Sequence, residues 1–172
     1  MHKHIEQPVM LNEKYRYLAC RGYSNRQLGA LRSALPDRYW LAFDLATKVG
    51  LRIREMNTLS KDDDGYFVSN NAGALVRISI PCWLATRLEE VRQESEIVFK
   101  DRYRQYTTHY SINNGNCFAV LFNKLSHELF GWSLGTQKLR VTYAANEFER
   151  LSRKMPARLA LNKVKMRLGK LD

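Results

Sequence analysis

Arg52 is the first residue whose type and setting demand an explanation. It sits in Val49-Gly50-Leu51-Arg52-Ile53-Arg54-Glu55, after an apolar run and before a polar break. A guanidinium among apolar neighbours is costly unless an anion accompanies it. Presented from a rigid turn, its planar fork suits a phosphate held through parallel hydrogen bonds. The same residues also fit an internal pair, with Glu55 neutralising Arg52. On this stretch alone the two readings stand level.

Charge favours the phosphate. The 172 residues carry 28 Lys and Arg against 17 Asp and Glu, a formal net charge of +11. From Lys138 to Asp172 ten basic residues meet three acids, so most of the excess lies in the last fifth of the chain. Such a surface attracts polyanions, nucleic acid first and anionic membrane second. The plainer reading is a solubilising basic face.

Other chemistries find less support. Cys20, Cys82 and Cys117 lie far apart, and an odd count without a secretory signal points to reduced, buried thiols in the cytoplasm. His2, His4, His109 and His127 form no metal cluster, and His127, beside Glu128, reads as a surface residue. No phosphate-binding glycine loop or dinucleotide fingerprint occurs, so no metal and no cofactor are expected. No apolar run is long enough to cross a bilayer, so no membrane partner is expected, and Met1–Gln7 is too polar for a signal peptide.

The elements that must position Arg52 can be read in order. The length fits an N-terminal arm over 1–23, anchored by Tyr15, Tyr17 and Leu18, and one domain over 24–172. Ser24 and Gln27 form a capping-box pattern, and a helix runs through Leu28, Leu31 and Leu35 to Pro36. Asp37 is placed to cap a second helix, whose apolar face is Tyr39, Trp40, Phe43, Leu45, Ala46 and Val49. Gly50 breaks it ahead of a short turn over Leu51–Met56. Lys61 to Gly65 reads as a turn, and Tyr66–Val68 and Leu75–Ile80 as strands of an antiparallel hairpin or meander. Pro81 opens a helix with Trp83, Leu84, Leu88 and Val91 on one face.

Ser95–Asn116 reads as irregular. A helix over Cys117–Leu129 follows, then a loop holding Trp132 between Gly131 and Gly135. Thr136 is placed to cap a helix through Leu139, Tyr143, Phe148 and Leu151. A basic helix over Leu159–Leu168, packing through Leu159, Leu161, Val164 and Leu168, comes last. No repeat appears, so the expected class is α+β, mainly helical with a small antiparallel sheet.

From about Ser24 onward this order resembles the catalytic domain of the tyrosine recombinases, the phage-integrase family. The resemblance is carried by the capped helix, L-P-D-R-Y, the apolar helix and G-L-R-I-R-E over Ser24–Met56. R-I-S-I-P with the helix behind it, and Q-K-L-R-V-T-Y-A over Gln137–Ala144, continue the pattern. It implies that Arg52 and Arg140 grip a scissile phosphate and that Glu55 orients Arg52. Gln137 falls where the family has its motif histidine, and Lys170, in Leu168-Gly169-Lys170, where it has a second one. Double-stranded DNA is the implied partner, with other recombinase subunits beside it, in a chain of bacterial, phage or mobile-element origin.

The family reaction passes through a phosphotyrosyl intermediate. It needs a tyrosine nucleophile, cations on the phosphate and a general acid. Gln137 cannot shuttle a proton near neutrality. The turn Ser69–Gly73 lacks the family's hairpin lysine, and Lys61 precedes the first strand. Tyr143, behind Arg140, reads as core, while Tyr103, Tyr106 and Tyr110 precede that helix, so no tyrosine up to Asp172 matches the nucleophile.

The expected function is therefore DNA binding without strand transfer. Arg52 and Arg140 would hold the backbone, joined by a surface of Arg150, Arg153, Lys154, Arg158, Lys163, Lys165 and Arg167. Backbone contacts position a protein without specifying sequence. One alternative is an active integrase whose nucleophile-bearing tail is absent or supplied in trans. Another is an interaction module for an acidic protein partner.

Overall fold

The computed structural model describes residues 22–70, 72–103 and 115–168, with side chains given for all of these except 93–103 and 115–116. Residues 1–21 of the arm, Tyr106, His109, Tyr110 and Lys170, and the side chain of Tyr103, thus fall outside what is described.

Helix α1 (Asn25–Ala34) starts at the expected capping box: the Ser24 hydroxyl accepts the Gln27 N–H at 3.3 Å, and the Gln27 side chain accepts the Ser24 N–H at 2.9 Å. After Pro36 comes a 3-10 turn (Asp37–Tyr39) and then α2 (Trp40–Asp44). Asp37 heads that turn without capping it through its side chain. What fastens α2 to α1 is tertiary. The Trp40 indole N–H reaches the carbonyls of Arg32 and Leu35, both at 3.0 Å. Arg32 binds the buried Asp44 carboxylate with both arms, at 2.9 and 2.8 Å.

A π turn (Leu45–Val49) continues α2 until Gly50 takes a left-handed conformation, with φ 79°. After α3 (Ile53–Met56), strands β1 (Ser60–Asp62), β2 (Gly65–Ser69) and β3 (Leu75–Ile78) form an antiparallel sheet in chain order. The turn expected over Lys61–Gly65 is corrected here: Ser60–Asp62 pairs with Gly65–Phe67. Asp62 Oδ1 accepts the N–H groups of Asp64 and Gly65 and closes a tight turn. That leaves Lys61 on a strand whose polar residues give no apolar alternation to read.

Helix α4 (Cys82–Tyr103) runs on through 95–103, part of the stretch expected to be irregular. Leu84 and Leu88 are buried as expected, but Trp83 is 53% exposed. Its neighbour Leu84 claims the inward direction, and a helix turns about 100° per residue. Glu89 of α4 is a hub for the sheet: it accepts the Tyr66 hydroxyl at 2.8 Å and pairs with Lys61 at 3.4 Å and Arg92 at 3.0 Å.

Burial, then the Glu89 bond, push the Tyr66 phenol up to about 12 from 10.0. The folded state therefore holds this proton more tightly than the unfolded chain. The resulting stability is complete below about pH 10 and is lost as pH rises toward 12. A pH titration of unfolding should show this loss, and Tyr66→Phe should remove it.

Helix α5 (Gly115–Phe130) buries Phe118 and Phe122 against Tyr23, Tyr39 and Phe43. Cys82 and Cys117, expected as buried thiols, are exposed and free, each near the start of its helix. Helices α6 (Gln137–Ser152) and α7 (Ala157–Arg167) close the chain. Thr136, expected as a cap, is helical itself and makes no side-chain cap bond. Tyr23, assigned to the arm by sequence, lies in the core: its N–H donates to Thr142 Oγ1 at 2.9 Å and its hydroxyl accepts the Leu134 N–H at 3.0 Å.

The main core gathers side chains from α1 to α6, including Leu31, Leu45, Leu84, Phe122 and Leu139. A second, smaller cluster of Ala144, Leu151, Ala160 and Val164 joins α7 to α6. Leu159, expected to face inward, is 53% exposed, because Ala160 and Val164 occupy the contact. The class is thus mainly helical with a small three-stranded antiparallel sheet. Among the described residues no helix is long and apolar enough to cross a membrane.

Candidate anion-binding cleft

Gly50 is where the site begins. Its left-handed backbone turns its carbonyl to accept Arg140 Nη1 at 2.7 Å. A Cβ there would overlap the Tyr143 ring and press on Leu168. Gly50→Ala therefore combines a strained φ with a clash and is expected to cost about 2–3 kcal/mol, measurable by urea unfolding.

Beyond Gly50 the chain extends at Arg52, the N-terminal cap position of α3. Glu55, in the first turn of α3, folds back: its Oε2 accepts the Arg52 N–H at 2.7 Å and Arg140 Nη1 at 2.7 Å. Arg140 Nη2 donates to the Leu168 carbonyl at the end of α7. One guanidinium thus ties α6 to the Gly50 turn, to α3 and to α7. The pair is nearly dry, with side-chain exposures of 11% for Arg140 and 8% for Glu55. Burial pushes the Arg140 pKa below the ordinary guanidinium value; the Glu55 charge opposes the shift and the nearby Arg52 charge adds to it.

In front of this pair lies a cleft of about 670 Å³. Arg52, Arg54, Gln137, Lys138 and Arg140 line it, with Leu51, Ile53, Val141 and Leu168 among its apolar residues. No carboxylate is among the described residues that line it, since Glu55 sits behind Arg140. Among the described residues the side chains of Arg52, Arg54 and Lys138 have no ion-pair partner. The structure therefore brings Arg52, Glu55, Gln137 and Arg140 together from two distant parts of the chain. Glu55 contacts Arg52 through its backbone N–H, whereas its charge faces Arg140.

The other expected contact residues lie apart from this cleft. Arg150 binds the buried Glu147 with both arms at 2.8 and 2.7 Å, and Arg167 binds Glu147 as well. Arg153 pairs with Glu149. These guanidiniums stay 50%, 43% and 74% exposed, respectively, so their outer faces meet solvent while their charges are partly compensated. Lys154, Arg158 and Lys163 are exposed, and Lys165 is half-buried. Lys61 lies on β1, over the Tyr66 ring, and not in the cleft.

Tyr143 is half-buried and lines a separate cavity of about 230 Å³ with Lys48, Glu147 and Arg167. Burial pushes its phenol up despite the opposing charges of Arg167 and Arg150, so it is not an activated phenolate. His127 is exposed, and among the described residues no group of His, Cys, Asp and Glu could hold a metal.

Sequence reasoning missed Arg54 and Lys138. Arg54 sits two residues after Arg52, and Lys138 follows Gln137, so the signal was adjacency to motif residues. No protein-family description and no characterised protein matches the chain, so the recombinase resemblance rests on these residues themselves.

Proposed function

We propose that this is a DNA-binding protein with a tyrosine-recombinase-like fold that holds the duplex backbone at the Arg52–Arg140 cleft. One observation carries the reading: two motif arginines, far apart in sequence, meet at a cleft lined by further cations and by no described carboxylate. Field lines in such a cleft concentrate, and anions are drawn into it. The α6–α7 surface adds exposed Lys154, Arg158 and Lys163. Strand transfer is not part of the reading. Gln137 donates hydrogen bonds without shuttling protons, and the Tyr143 phenol is pushed toward its protonated form.

The test is fluorescence anisotropy with a labelled duplex at low salt. Binding is expected, with Arg52→Ala weakening it roughly ten-fold, as loss of a charge-assisted hydrogen bond would. A denaturing gel after incubation with nicked duplex should show no tyrosine-linked adduct. An adduct would favour an active integrase whose nucleophile comes from elsewhere. No retention of duplex at low salt would end the DNA reading and turn attention to an acidic protein partner.

A further inference from the structure

We infer that Arg54 and Lys138 contact the DNA backbone beside Arg52, and that Arg140 is the positioning residue of the cleft. The inference rests on the DNA-binding reading above. Arg140 is already engaged by the protein. Three of its five N–H donors are occupied, by the Gly50 carbonyl, Glu55 and the Leu168 carbonyl. Only 11% of the side chain is exposed. A phosphate gripping this guanidinium through Nη1 would have to displace the buried carboxylate or the Gly50 carbonyl, each left unpaired at high cost, and burial leaves little of the opposite edge within reach.

Arg54 and Lys138 stand differently. Both line the cleft, and neither has an ion-pair partner among the described residues. Arg54 is exposed on α3, and Lys138 is half-buried in the first turn of α6, so the free cations come from two elements that meet at Arg52. At about 670 Å³ the cleft is larger than one guanidinium–phosphate contact requires. It falls in the range of about 300–1,000 Å³ that holds a whole small ligand. Cations of one sign, spread over two elements around such a space, match adjacent phosphates of one strand. Arg140 fixes the distance between these elements by tying α6 to the Gly50 turn and to Glu55.

The experiment is duplex anisotropy across a sodium chloride series, with thermal unfolding of each variant alongside. Arg54→Ala and Lys138→Ala should each make the slope of log affinity against log salt shallower by about 0.9, the release expected for one phosphate contact. Each should weaken binding about three- to ten-fold at low salt with the melting temperature unchanged, and Lys138→Arg should restore the slope. Arg140→Gln should lower the melting temperature and weaken binding by the folded protein, yet keep the wild-type slope. Lys124→Ala, on the outer face of α5, should change none of these.

Unchanged slopes in both Arg54→Ala and Lys138→Ala, with the wild type still binding, would overturn the assignment and leave the DNA reading standing. An Arg140→Gln variant with a shallower slope and an unchanged melting temperature would do the same. Absence of wild-type binding at low salt would overturn both.

Discussion

Glu55→Ala is expected to remove about 3–5 kcal/mol of folding free energy, the range for breaking one side of a buried ion pair. The reason lies in what remains. Arg140 would keep its two carbonyl acceptors, but its buried charge would lose the carboxylate at 2.7 Å. The Arg52 N–H would lose its acceptor as well. Glu55→Gln keeps an acceptor for that N–H and should fall between wild type and alanine. Replacing both partners with apolar residues of similar volume should recover much of the loss, because no lone charge is then buried. Urea midpoints with an unchanged m-value would measure all three variants. A Glu55→Ala protein within about 1 kcal/mol of wild type would mean that Arg140 finds other compensation.

Affinity for duplex DNA is expected to fall roughly a thousand-fold between 50 and 200 mM salt, the lower end of the range for about six to ten phosphate contacts. The six candidates are Arg52, Arg54 and Lys138 in the cleft, with exposed Lys154, Arg158 and Lys163 on the α6–α7 side. Arg150, Arg153 and Arg167 are left out because Glu147 and Glu149 already serve as their counterions. A salt slope of about −5 fits this set. A slope of about −3 would confine binding to the cleft, and one of about −8 would mean that the three pairs open on the DNA. An anisotropy titration over that salt range decides among them.

Several elements of the fold were legible because their signals are local. A capping box satisfies helix N–H groups within four residues, and a proline or a left-handed glycine stops a helix wherever it stands. Hence α1, the break at Gly50 and the bounds of α5 follow closely from their own residues. Strand β1 did not, since Ser60–Asp62 is polar and is held by β2 and by the pairing of Lys61 with Glu89. Trp83 and Leu159 carried apolar weight in the pattern yet face outward, because neighbouring residues reached the core first.

From the residues alone it follows that a cation-rich chain folds mainly as helices with a small antiparallel sheet, and that Arg52 and Glu55 share one turn. Which charges cancel emerges only once the elements are packed in space. Glu55 spends its charge on Arg140, while Glu147 and Glu149 take up Arg150, Arg167 and Arg153. Arg52, Arg54 and Lys138 are left facing the cleft. Electrostatic partnership depends on distance and burial in space, and residues remote along the chain carry no mark of it in their order.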